Sequence, residues 1–215
     1  MGGARFQRAR SVDAKDARID AILRSAREQA EARSVREVTL TDVAAGVGMH
    51  KSTMLRYFET REEIFLRLAA QQWTEWSREA AGEIAALGER RAPASIAEAL
   101  ASTLVARPLF CDLLANVPLN LERGVSMTAV KGFKLVALAS AGSVAEAVGK
   151  AAGLDAEAAG NVVATATAMA GALWQMAAPG TALRDLYETD PELGHAVIEV
   201  APRLTAILTA LIRGA

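Results

Sequence analysis

An all-α fold, an N-terminal three-helix helix-turn-helix domain followed by a C-terminal helical bundle, is what three features of this 215-residue sequence predict. Apolar residues recur at steps of three and four through most of the chain. Two short periodic segments flank Gly48. Beyond Gly88 the composition turns Ala-rich, with breaks at Pro93, Pro108, Pro118, Gly153 and Pro179-Gly180.

The elements follow in order. Ile19, Ile22, Leu23, Ala26 and Ala30 form one apolar stripe and predict a helix over about 13–33. Thr39-x-x-Asp42 supplies an N-cap oxygen with an acid three residues on, and Val38 and Val43 stand at the staple positions around it. A short helix therefore starts near Leu40. It must end at Gly48, because glycine alone takes the left-handed C′ conformation without strain. A second short helix opens at His50 or Lys51 and runs to about Phe58. Thr60-x-x-Glu63 caps a longer helix carrying Ile64, Phe65, Leu68, Trp73 and Trp76. Further helices are expected over 94–106, 108–117, 126–151, 156–178 and 191–213. In the last, Asp190 would cap, Pro191 would sit at N1 and Pro202 would kink the interior. The domain boundary falls at residue 68: 1–68 for the reading head with its N-terminal arm, 69–215 for the bundle.

Composition excludes several classes of protein. Apolar residues make up 52% and charged residues 23%, ordinary for a globular chain. The lone Cys111 permits no intramolecular disulfide, which suits a reducing cytoplasm. The arginines near the N-terminus precede no apolar run, so a signal peptide is not expected. Residues 158–183 carry no charge up to Leu183, but their alanines and threonines with Asn161 and Gln175 read as a buried helix, and no membrane span is expected. Catalysis is not expected either. Gly46-Val-Gly-Met-His-Lys-Ser52 lacks the glycine before lysine and the leading strand of a phosphate loop. His50 and His195 have no metal-pair spacing, so neither a metal nor a cofactor is expected. Cys111, in an apolar run, reads as an inert buried thiol.

Charge distribution and the short-helix pair point to DNA. Residues 1–67 hold 13 basic and 10 acidic side chains, whereas the remainder is acidic on balance. With Val43, Ala44, Val47, Met49, Met54 and Phe58 turned inward, the second short helix shows Lys51, Ser52, Leu55 and Arg56 outward. Lys51 and Arg56 suit phosphates or guanine edges, and Ser52 and Thr53 donate to phosphates or bases.

Thr39-Leu-Thr-Asp-Val-Ala-Ala-Gly-Val-Gly-Met-His-Lys-Ser-Thr-Met-Leu-Arg-Tyr-Phe58, followed by Glu59-Thr-Arg-Glu-Glu-Ile64, closely resembles the N-terminal domain of TetR-like transcriptional regulators. The likeness covers about residues 13–68. It implies that Thr39, Tyr57 and Arg61 hold phosphates, and that Thr41, Lys51, Ser52, Thr53 and Arg56 make groove contacts with a double-stranded operator. His50 stands where a capping serine is usual, Leu55 where a tyrosine is usual, and Val47 where an alanine precedes the turn. Leu55 lacks the phosphate-binding hydroxyl and suits a thymine methyl instead. Arg5, Arg8 and Arg10 are candidates for a DNA-reaching arm, with a disordered tail as the alternative.

The resemblance also implies a C-terminal domain that dimerises and binds a small effector. Val162, Ala166, Met169, Leu173 and Met176 form one seam, and Val197, Ala201, Leu204, Leu208 and Leu211 a second. Packing of both seams inside one subunit is the alternative. The bulky residues Phe110, Leu114, Met127, Phe133, Met169 and Trp174 are the candidates for a largely apolar effector pocket. The expectation is a homodimeric cytoplasmic regulator, a repressor released from a palindromic operator by an apolar effector. The alternative is a non-catalytic helical small-molecule carrier that no longer binds DNA.

Overall fold

The computed structural model describes residues 3–215, and side chains from Ala14 onward. Ten α-helices make up the architecture, with no strand among the described residues. Arg5, Arg8 and Arg10 lie outside the described side chains.

The reading head consists of α1 (Gly3–Ala32), α2 (Leu40–Gly46), α3 (Lys51–Met54) and the first turns of α4 (Arg61–Leu87). The Thr39–Asp42 cap forms in full. Thr39 Oγ1 accepts from the Asp42 amide at 3.2 Å, and the Asp42 carboxylate accepts the Thr39 amide at 2.8 Å. The Thr39 amide foremost, and then the Thr39 hydroxyl, both donating to the carboxylate, hold the Asp42 carboxyl below its usual range. Val38 and Val43 are both buried, as a staple requires. Gly48 takes φ +64°, the left-handed conformation that ends α2. Gly46 meets α1 so closely that a Cβ there would lie 2.2 Å from Ser25 Oγ. Across the same contact, Ser25 Oγ donates to the Val43 carbonyl at 3.3 Å and Gln29 Nε2 to that of Asp42 at 3.0 Å. α1 side chains thus add donors to carbonyls of α2, whose last-turn carbonyls have few helical partners.

The body contains α5 (Pro93–Val105), α6 (Pro108–Asn116), α7 (Met127–Ala152), α8 (Ala156–Ala177), α9 (Ala182–Thr189) and α10 (Val200–Gly214). A π-type turn, Val117–Leu121, extends α6. α4 runs through the boundary drawn at residue 68 and belongs to both units. It packs along α7, while α10 lies against α5, and α8 against α6, α7 and α10. Trp73, Trp76 and Phe110 form an aromatic knot with ring centroids 5.4–5.7 Å apart. Trp76 Nε1 donates to Thr103 Oγ1 at 3.1 Å, so the buried indole is satisfied. Cys111 is fully buried, and desolvation pushes its thiol up to about 12, which leaves it unreactive.

The C-terminal helix of the sequence reading requires correction. Residues 191–213 are not one helix. α9 ends at Thr189, a turn and a short 3₁₀ segment (Gly194–Ala196) follow, and α10 starts only at Val200. Asp190 is therefore a C-cap rather than an N-cap, and Pro202 sits in the first turn of α10. There its missing N–H has no intrahelical acceptor to leave unpaired, and no kink arises. Among the described residues, α7 is the single unbent helix long and apolar enough to cross a membrane. It lies lengthwise against α4 and α8, and leaves Met127, Leu135 and Leu138 exposed.

Candidate nucleic-acid interface

The surface formed by α2, α3 and the turn after α3 carries the candidate DNA contacts. Thr41, His50, Lys51, Ser52, Leu55 and Arg56 are exposed, and Thr53 and Tyr57 are half-buried. Regular α3 stops at Met54, but the chain stays tightly wound: Arg56 N donates to the Thr53 carbonyl at 3.2 Å and Tyr57 N to that of Met54 at 2.9 Å. The wound turn thus keeps Arg56 on the same outward side as Lys51 and Ser52. Beneath them Met54 and Phe58 are buried and anchor the unit. His50 occupies the N-cap of α3 but gives no side-chain cap bond, so the imidazole faces solvent. Neither Lys51 nor Arg56 enters an ion pair among the described residues, which leaves both charges free to meet a polyanion.

Two of the expected phosphate contacts are engaged elsewhere. The Thr39 hydroxyl donates to Asp42 Oδ2 at 2.7 Å, so its proton serves the α2 cap. Arg61 turns away from the DNA-facing surface. Its Nε donates to the Val38 carbonyl and its Nη2 to the Val35 carbonyl, Nη1 pairs with Glu62 at 3.0 Å, and the guanidinium stacks 4.6 Å over Phe65. Arg61 is a brace that ties the α1–α2 loop to α4. The guanidinium offers several donors in a fixed fork, which suits two carbonyls at once. A stretch of sequence carrying a basic residue at this position gives no sign of which way the side chain turns.

The other candidate sites also change. Val162, Ala166, Leu173, Leu204 and Leu208 are buried within the subunit, against the neighbouring helices of the same chain. Val197 lies in the loop before α10, and Met169, Ala201 and Leu211 are half-buried. Most of both seams thus lines the core of one protomer, but Met176 of the first is exposed and shares the outward face of α8 with Asn161, Ala164, Ala168 and Ala172. The α9 helix buries none of its residues and exposes Leu183 and Leu186.

The six pocket candidates do not converge. Phe110 is locked in the aromatic knot and Met127 is 72% exposed. Leu114 and Met169 are half-buried against the core. Phe133 helps wall a cavity of about 620 Å³ between α4 and α7. Trp174 faces a second, of about 650 Å³, between the α1–α2 loop, α6 and α8. Gly171 lets α8 approach α6 closely: a Cβ there would lie 2.8 Å from the Ala115 backbone nitrogen. Among the described residues no group of His, Cys, Asp or Glu has the arrangement to hold a metal ion.

Residues 22–68 match the family described as bacterial regulatory proteins, tetR family, and residues 70–215 match the tetracyclin repressor-like C-terminal domain. A comparison with curated proteins finds no match. Solved structures share the fold at low identity. The fatty acid degradation regulator FadR from Bacillus halodurans is 11% identical, with a TM-score of 0.55 over 91% of this chain and 98% of its own. The TetR family repressor AlkX from Dietzia sp., implicated in biodegradation of n-alkanes, is 15% identical, with a TM-score of 0.51 over 91% and 95%. A transcriptional regulator of the TetR/AcrR family from Thermobifida fusca is 16% identical, with a TM-score of 0.51 over 91% and 96%. With both of its parts matched and its exposed cationic face on the second helix of a helix-turn-helix, the chain belongs to the TetR family of bacterial transcriptional regulators.

Proposed function

We propose that this regulator is a homodimeric cytoplasmic repressor that reads a palindromic operator through the α2–α3 surface and is released by a small apolar effector bound to its C-terminal domain. One observation carries the DNA half of this reading. Lys51, Ser52 and Arg56 stand together on an exposed surface without internal partners, above a buried anchor of Met54 and Phe58. Unpaired cations grouped with hydroxyls on a recognition helix suit phosphate and major-groove contacts. Tyr57, half-buried beside them, adds a phenol at the rim.

One such helix spans only a few base pairs, and a palindromic site needs a second copy at a half-site about one turn of DNA away. The outward face of α8 suits that role. Ala164, Ala168 and Ala172 permit close helix approach, and Met176 with Leu183 and Leu186 of α9 adds apolar area that water otherwise covers. An effector that binds best to a body conformation holding the two heads at the wrong separation would weaken operator binding by its differential affinity.

Substitution at the DNA-facing surface tests the reading. Lys51→Ala should weaken binding to operator and to random duplex alike and make the salt dependence shallower by about one phosphate contact. Arg56→Ala should cost more on the operator than on random DNA if its guanidinium reads a base, roughly 1–3 kcal/mol. Unchanged affinity and slope in the double variant would exclude this surface from DNA.

A further inference from the structure

Asp112 lies in α6, in the body, yet its carboxylate holds the reading head. Oδ2 accepts the backbone N–H of Val35, in the α1–α2 loop, at 2.6 Å. Oδ1 accepts Asn116 Nδ2 at 2.9 Å and Gln175 Nε2, from α8, at 2.8 Å. Asp112 is 6% exposed and Val35 wholly buried. A buried carboxylate is costly unless its lone pairs are filled, and a buried amide is costly without an acceptor. Each therefore depends on the other. Val35 is gripped from its other side as well, because its carbonyl accepts from Arg61.

Sequence separation makes the contact informative: Val35 and Asp112 are 77 positions apart, and Asp112 and Gln175 are 63 apart. Three parts meet at one carboxylate. They are the loop that carries α2, the α6 helix of the body, and the α8 helix whose outward face we assign to the partner copy. A second tie runs in parallel, from Arg27 of α1 through Glu75 of α4 (3.2 Å) to Arg107 at the start of α6 (3.4 Å). That one is substantially exposed and correspondingly weak.

We infer that Asp112 is a positioning residue for operator recognition, fixing the reading head against α6 and α8 and so setting the separation of the two recognition helices in the dimer. The inference rests on the DNA-binding reading given above. A body motion that displaces α6 or turns α8 must either carry the head with it or break the Val35–Asp112 bond. Asp112 touches no DNA. It acts through Val35, so its removal changes how far apart the heads stand rather than what each head reads.

Half-site spacing provides the test. The preferred palindrome is selected from random duplexes, and its central spacer is then lengthened or shortened by one and two base pairs. Full-length wild type should prefer one spacing sharply. Asp112→Ala should bind a single half-site as wild type does, but its affinity at the preferred spacing should fall roughly tenfold, a usual size for a coupling between sites, with off-spacing duplexes affected less. Asp112→Asn should restore much of the preference, since its amide oxygen still accepts from Val35 and the exposed Gln175 amide can turn to receive its NH₂ group, while Asn116 stays held by the backbone carbonyl of residue 112 at 2.8 Å. A folding defect alone would lower binding to all duplexes in proportion to the folded fraction. If Asp112→Ala does not fold, Gln175→Leu, on an exposed side chain, replaces it and should lose part of the preference. Spacing discrimination equal to wild type in the folded variant overturns the inference. A wild type that binds no duplex better than random DNA overturns the DNA-reading premise itself, and the positioning role with it.

Discussion

At the scale of single residues, the head shows how one basic side chain can serve packing and its neighbour the surface. Arg56 and Lys51 have nothing to pair with among the described residues, whereas Arg61 is consumed by two backbone carbonyls and a carboxylate. The difference is measurable. Arg61→Ala should destabilise the protein by about 1.5–3 kcal/mol, the usual loss of hydrogen bonds from a charged donor, and lower the Tm. The salt slope of its residual DNA binding should match wild type. A slope shallower by one at unchanged Tm would instead make Arg61 a phosphate contact. Spacing arguments identified the Thr39–Asp42 cap, the Gly48 turn and the outward Lys51, Ser52 and Arg56, because each follows from local chain geometry. They missed Asp112, Gln175, Ser25 and Gln29 as structural residues. Those act through contacts 13 to 77 residues distant in sequence, and no local pattern announces them.

Among elements, most boundaries were legible, since proline, glycine and N-cap residues punctuate the chain, but α9 (Ala182–Thr189) was not among the nine helices expected. The exception is instructive. Asp190-Pro191 has the form of a helix start, yet Pro191 stands in a turn and the helix begins nine residues later, with Pro202 in its first turn. Two prolines each fit an N-terminal position, and only tertiary packing of α10 on α5 decides between them. The apolar seams failed for a related reason. A stripe with helical period states that one face is buried, but not which surface covers it. In α8 the stripe containing Val162, Ala166 and Leu173 meets its own subunit. Gly171 makes that meeting close, so Gly171→Ala should force α6 and α8 apart and cost about 1–3 kcal/mol, as overpacking does. A Tm within a degree of wild type would mean that the contact relaxes freely.

For the whole molecule, the proposed dimer makes the outward face of α8 the place to intervene. Ala168→Glu puts a charge on an exposed position of the monomer and therefore should leave folding intact. At a two-fold interface the new carboxylates would face one another or an apolar partner surface, so sedimentation should find a folded monomer where wild type is a dimer. A dimer of undiminished stability would move the interface elsewhere, for instance to the exposed Leu135 and Leu138 of α7. The same variant should bind a half-site but lose cooperative binding to the palindrome.

The central claim is sequence-specific DNA binding through the α2–α3 surface. Fluorescence anisotropy on duplexes from the intergenic region beside its own gene, titrated against salt with random duplex as control, addresses it directly. The account predicts binding at least a thousandfold tighter than the control at physiological salt, the low end for specific regulators, falling steeply as salt rises. Binding no tighter than to random duplex on every intergenic fragment, or no binding even at low salt, would contradict it.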